Sequence, residues 1–304
     1  MGSARALTVY EPFHSIFYAP QFVALHGGHF AEAGLDVAVV TAGPGRTTTG
    51  ALIDGHAEIA LGGIMRSLDI ADRGGPFLVH FAEVNQRNGF FLLSREPRPR
   101  FAWTDLIGRT VISFAEAPTP WQCMLTVLRR HGIDPARVRI ERTLPLAEAL
   151  AAFRSGHGDF FETGQPFTEE LLADGTAHLA VSMGDATGPV PFSSYMTTER
   201  FLRDERDVVQ RFTRALYRAQ RWMAGADPKQ VAELITPAFA DIAPEIRRRA
   251  VVRYVAQSTW SREPIIRRGG YEYLETILLD GGFITRRHRY EDLIDTTVAE
   301  EVVG

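Results

Sequence analysis

The sequence predicts an α/β protein built from two units, each a mostly parallel sheet flanked by helices, followed by a helical tail. Three observations carry that prediction. Apolar runs of strand length alternate with helical periodicity from residue 6 to residue 82. The same alternation restarts at Gly89 and runs to Ser182. After Thr197 only helical spacing remains. A length of 304 residues suits two domains, and 45% hydrophobic with 23% charged residues is an ordinary globular balance.

In the first unit, 6–10 reads as a buried strand, followed by the loop Glu11-Pro12-Phe13-His14-Ser15. Phe17, Phe22, Val23 and Leu25 give helical spacing over 17–30, closed by Gly27-Gly28. A turn at Gly34 leads into a second strand, 35–40. Gly43-Pro44-Gly45 breaks the chain before a helix that Thr47 opens and that runs to Ile53. A third strand, 57–61, ends at Gly62-Gly63; a helix spans 65–72, and a fourth strand spans 77–82. Short βα connections of this kind belong to parallel sheets.

In the second unit the strands are 89–93, 111–114, 138–141, 159–162 and 177–182. Helices at 121–131, 146–154 and 168–172 lie between them. Gly188-Pro189-Val190-Pro191 marks a break before a strand at 192–197. The tail reads as helices at 199–202, 207–224, 228–235, 244–254 and 271–279, and is expected to pack back on the first unit.

Composition excludes several functions. The net charge is -4, with no basic arm, which argues against nucleic acid. Lys229 is the only lysine, so a Schiff-base enzyme has one candidate. Cys123 is the only cysteine, so neither an intrachain disulfide nor a cysteine-based zinc site can form. His26 and His29 lack acidic companions, so no metal or other cofactor is expected. No apolar run reaches the ~18 residues of a membrane span. The start Met1-Gly2-Ser3-Ala4-Arg5 lacks the regions of a signal peptide. The expected compartment is therefore the cytoplasm if Met1 is the native start, and the periplasm if a leader has been removed.

The stretch Tyr18-Ala19-Pro20, Val23-Ala24, Gly28 to Val37 resembles the opening of the SsuA/THI5-like (NMT1-type) solute-binding proteins. Further landmarks follow in order: Ala51-Leu52, Gly55, Ala57-Glu58-Ile59; Asp105 to Val111; Gly132 to Pro135; and Ala149-Leu150, Phe153, Gly156, Gly158-Asp159. The resemblance implies a periplasmic-binding-protein type II fold. Its two lobes, 1–87 with 188–304 and 88–187, would close on a small organic ligand and deliver it to an ABC permease if exported. Enzymes also resemble this fold, so the alternative is a decarboxylase, lyase or hydrolase of a small molecule. Two enzymatic variants of the fold fit poorly: the thiol of the desulfinase type and the cysteine-rich motif and lysine of the pyrimidine-synthase type have no counterpart here.

Ligands of open α/β sheets sit at the carboxyl ends of strands, which selects the candidate residues. His14 and Tyr18 follow the first strand; packing roles explain them as well. Thr47 and Thr48 can hold an anion or carbonyl at a helix start, although one threonine is accounted for as a cap. Gly63 exposes backbone N–H groups, and Arg66 can grip a carboxylate or sulfonate, or simply be a surface arginine. Asn85 lies at the presumed first crossing. Phe114, Thr119 and Trp121 surround a helix start in the second unit, where Trp121 can stack on a planar ligand or pack. Glu162 and Gln165 belong to the stretch Glu162-Thr163-Gly164-Gln165 at the end of the strand 159–162, and Ser193 follows the second crossing. The set suits a small planar solute such as a pyrimidine or thiamine precursor, an aromatic acid or a sulfonate. Cys123, inside a helix, is expected to be a buried apolar side chain.

Overall fold

A computed structural model describes residues 4–43, 45–113, 115 and 118–304. Among these residues the strands are β1 (Arg5–Glu11), β2 (Leu35–Thr41), β3 (Ile59–Gly62), β4 (Leu78–Asn85), β5 (Phe91–Ser94), β6 (Thr110–Ile112), β7 (Arg139–Glu141), β8 (Phe160–Thr163), β9 (His178–Ser182) and β10 (Ser193–Thr198). They form two five-stranded sheets, in the orders β2-β1-β3-β10-β4 and β7-β6-β8-β5-β9. Val9, Ile59, Ala60 and Leu61 are fully buried because helices cover both sheet faces, which is why these strands read as continuous apolar runs.

Each sheet contains one strand that the linear pattern identified but whose antiparallel place in the sheet it did not give. β10 runs antiparallel between β3 and β4, and β5 runs antiparallel between β8 and β9. In both cases the strand enters from the other sheet, so it arrives from the opposite direction to its neighbours. The fourth strand also extends to Asn85, so Glu83, Val84 and Asn85 are strand rather than linker. The first helical stretch is divided: a 3-10 turn at Ile16–Tyr18, a helix Ala19–His26, and a second short helix His29–Glu32. Gly28 sits between the two helices at φ +79, a conformation that glycine adopts without steric cost.

The chain crosses between sheets after β4 and again before β10, and the crossings are hydrogen-bonded to each other. Val190 N donates to Gln86 O at 2.9 Å, and Phe192 N to Asn85 O at 2.8 Å. The tail adds a third segment to this hinge. Gln86 N donates to Thr259 O at 2.9 Å, and Ser261 N to Val84 O at 3.0 Å. Gln257 braces it from beside: its Nε2 donates to Asn88 O and Thr259 Oγ1, and its Oε1 accepts from Ser182 Oγ.

The tail packs on the first lobe as expected, and it also reaches the second. Helix Arg206–Gly225 brings Phe212 against Phe30 and Tyr195, with ring centroids 4.8 Å apart in each case. Truncating a buried aromatic of this kind costs about 3–5 kcal/mol. Helix Pro244–Ala256 rests on Phe167–Ala173 of the second lobe, where Arg253 pairs with the buried Glu169. Helix Arg268–Asp280 packs on both Ile64–Asp72 and Pro118–Arg130.

Gly184 lies where Gln257 crosses the hinge. A Cβ there would stand 2.5 Å from both Asn88 O and Gln257 Cδ. Gly184→Ala is expected to destabilise the protein by about 1–3 kcal/mol, the usual cost of overpacking. Denaturant unfolding checks this; an unchanged midpoint would show that the hinge relaxes freely.

Candidate ligand-binding cleft

The carboxyl ends of the strands in both sheets face each other across a seam. A small chamber of about 40 Å³ lies there, lined by Tyr18, Gly63 and Arg66 from the first sheet's side, by Pro118, Thr119 and Pro120 from the second, and by Ser193. A second chamber of about 250 Å³ adjoins it, lined by His14, Phe17, Phe90, Gln165, Phe167 and Tyr254 among others. Phe13, Phe17 and Phe90 line both. On the far side of Arg66 a wider groove of about 380 Å³ is lined by Thr47, Thr49, Ile53 and Phe283.

The small chamber is electropositive by construction. Helix Ile64–Asp72 begins at Gly63, and no side chain caps it, so its first N–H groups are open. Helix Pro118–Arg130 begins on the opposite wall. Each helix start carries about half a positive charge. Arg66 stands in the first turn of its helix, half-buried, and has no hydrogen-bond or ion-pair partner among the described residues. The Tyr18 hydroxyl faces Ser193 within the field of Arg66; burial still raises its pKa well above the usual phenol value. Together these groups offer donors and positive potential for one small anionic group.

The structure brings Tyr18, Gly63, Arg66, Thr119 and Ser193 together in one chamber, and His14 and Gln165 in the next. Gly63 has φ -73, so its role there is close approach rather than an unusual backbone: a Cβ would meet Phe192 O at 3.3 Å. Thr119 lies inside the helix, which begins at Pro118 and not near Trp121.

The other candidates have different positions. Thr47 caps the helix Thr48–Ile53 through Gly50 N at 3.0 Å, and it lines the groove. Thr48 is buried, and its hydroxyl has no partner among the described residues. Asn85 donates to Phe17 O at 2.8 Å and so holds the 3-10 turn. Trp121 lies under the Arg142 guanidinium, 4.7 Å from the ring centroid, and lines neither chamber. Glu162 is within β8, fully buried, rather than in the loop after it. Beside Ser193 on β10, Ser194 and Tyr195 turn inward to His80 and Gln21. Phe114 lies outside the described residues.

Linear reasoning missed the aromatic wall of Phe13, Phe17, Phe90 and Tyr254. Phe13 stands in the loop already singled out and is the detectable member. Tyr254 comes from the tail, and only packing brings it to the cleft, where its hydroxyl accepts from Gln165 N at 3.2 Å.

Several polar groups nearby are structural. Glu11, fully buried, accepts from Gln21 Nε2, Thr41 Oγ1 and His14 Nδ1 at 2.8–2.9 Å. His14 Nε2 donates to Ala238 O at 2.7 Å, and its ring stacks on Phe239. A protonated imidazole satisfies both bonds, and the Glu11 bond raises the pKa of His14 above 6.5. Glu162 accepts from Ser113 Oγ at 3.3 Å, and its Oε1 has no partner among the described residues. Burial pushes it up to about 8, so it is protonated at neutral pH. Burial likewise pushes the Cys123 thiol up to about 12, leaving it unreactive.

Comparison with known proteins agrees with this architecture. Residues 16–231 match the family model described as NMT1/THI5 like. The putative binding protein YtlA of Bacillus subtilis (strain 168) is 31% identical over 298 residues, spanning 97% of this chain and 89% of that protein. The alkanesulfonate-binding protein SsuA from Xanthomonas axonopodis pv. citri, solved with MOPS, superposes with a TM-score of 0.71 at 16% identity, covering 99% of each chain. The desulfurization enzyme DSZB has the same fold, with a TM-score of 0.71 at 16% identity over 98% of this chain and 99% of that one. The fold thus serves a binder and an enzyme alike.

Two titrations check the buried polar groups. The stabilisation from the His14–Glu11 pair is whole below 6.5 and is lost as pH rises through the raised value. The melting-temperature gap between wild type and His14→Gln is therefore expected to be widest near about pH 6 and to narrow in alkali; a constant gap would leave only ring stacking. Glu162 behaves oppositely. Between 4.5 and about 8 the unfolded chain releases this proton while the folded chain keeps it, so stability falls as pH rises through that window. Glu162→Gln is expected to match wild type in acid and to exceed it at about pH 8. Parallel pH curves would show that Glu162 ionises freely.

Proposed function

The chain belongs to the NMT1/THI5-like family, and we propose that it is a solute-binding protein that closes two lobes on a small organic acid. The observation that carries this reading is Arg66, a guanidinium at the seam between the lobes that has no partner among the described residues and stands beside an uncapped helix start. A cation left without a counter-charge in a partly dry cavity is poised to take one from solution. Residues 1–87 with 188–304 would move against 88–187 about the hydrogen-bonded crossings, in the manner of hinge closure. The ligand would be a carboxylate or sulfonate with a planar or apolar body, since the adjoining chamber is walled by aromatic rings. Delivery to an ABC permease outside the cytoplasmic membrane fits this role, and the names of related proteins, a binding protein and an SsuA, favour it. Among the described residues no helix is long and apolar enough to cross a membrane. The thiol that a desulfinase-type enzyme would use is not offered to the cleft by Cys123, which is buried inside helix Pro118–Arg130.

A thermal-shift screen of small carboxylates and sulfonates tests the proposal, because a ligand of the folded state raises the melting temperature. Arg66→Ala should weaken the best acid by about 10–100-fold, as loss of a charged hydrogen bond does, while leaving the melting temperature of the ligand-free protein unchanged. Equal affinity in wild type and variant would remove Arg66 from the site. Silence across the whole screen would remove the acid.

A further inference from the structure

The volumes of the two chambers set a problem for any ligand held at Arg66. The chamber beside Arg66 offers about 40 Å³, against the ~10–15 Å³ that one water needs in the same measure. It holds a carboxylate or similar head and nothing further. The neighbouring chamber offers about 250 Å³ and is aromatic. Even joined, the two fall just short of the ~300–1,000 Å³ usual for small-ligand sites. The residues between them are Phe13, Phe17 and Phe90. Phe17 and Phe90 are buried in the core, whereas Phe13 is 38% exposed and sits on the short loop after β1. Among the described residues its one ring contact is Tyr18, with centroids 5.2 Å apart. Phe13 is therefore the member of the wall that can swing aside at low cost.

We propose that Phe13 is a movable partition that sets ligand length: it divides the cleft when a short acid is bound, and it turns out to join the chambers when the apolar body is long. This inference rests on the acid-binding reading above. It makes specificity depend on a side chain that offers the anionic head neither a charge nor a hydrogen bond.

The test uses acetate, butanoate, hexanoate and 3-phenylpropanoate as probes, measured by calorimetric titration against wild type, Phe13→Ala and Phe13→Trp. In wild type the affinity should rise by less than the roughly fourfold per methylene expected for unhindered burial, because Phe13 must be displaced. Phe13→Ala should bind 3-phenylpropanoate roughly tenfold more tightly and acetate unchanged. Phe13→Trp should weaken the longer probes and show a shift of indole emission with them but not with acetate. Identical length dependence in all three proteins would overturn the partition and place the ligand body in the open groove beside Ile53. Failure of every acid to bind any of the three would overturn the acid-binding reading, and the partition with it.

Discussion

The arrangement of the cleft follows from one electrostatic constraint: two helix starts and a guanidinium converge on a space too small to hold much water. Parallel strands point their carboxyl ends the same way, so the helices that follow them begin at the same edge. Two such sheets set edge to edge bring the starts of Ile64–Asp72 and Pro118–Arg130 to opposite walls of one chamber. Arg66 adds a full charge and finds no partner among the described residues. At the tail's contact with the second lobe, by contrast, Arg253 pairs with the buried Glu169.

The seam must also be able to open, and the hinge is built for that. Two crossings alone would form a narrow, twistable ribbon. Here the tail adds residues 259–261 to the ribbon, and Gln257 ties it to Ser182 and Asn88. The tail thereby couples both lobes as well as covering the first. Helix Pro244–Ala256 supplies Tyr254 to the wall of the cleft and Arg253 to the second lobe, so the tail is part of the binding geometry.

Buried polar groups around this framework are handled in two ways. His80 lies between Ser67 and Ser194 and is held neutral by burial, its pKa lowered to about 3. Glu83 and Glu162 are pushed up to about 8 for the same reason, and a neutral carboxyl is much less costly to bury than a charged one. Glu11 is surrounded by three donors, one of them an imidazole that gains from charge. The first strategy suppresses charge and the second compensates it.

Local periodicity alone was enough to read the two wound units, most strand positions, the tail helices and the family landmarks, because strand and helix patterns are written within a few residues. It also placed Tyr18, Gly63, Arg66, Thr119 and Ser193 at strand ends, where the chamber formed. It could not show that β10 and β5 slot between strands distant in the chain, since their pairing partners lie 66 to 136 residues away and are chosen by packing. Nor could it turn Trp121 toward Arg142, bury Glu162, or bring Tyr254 from the tail to face Gln165. Those outcomes depend on which face of an element meets which neighbour, and that is settled only when the lobes and the tail pack together.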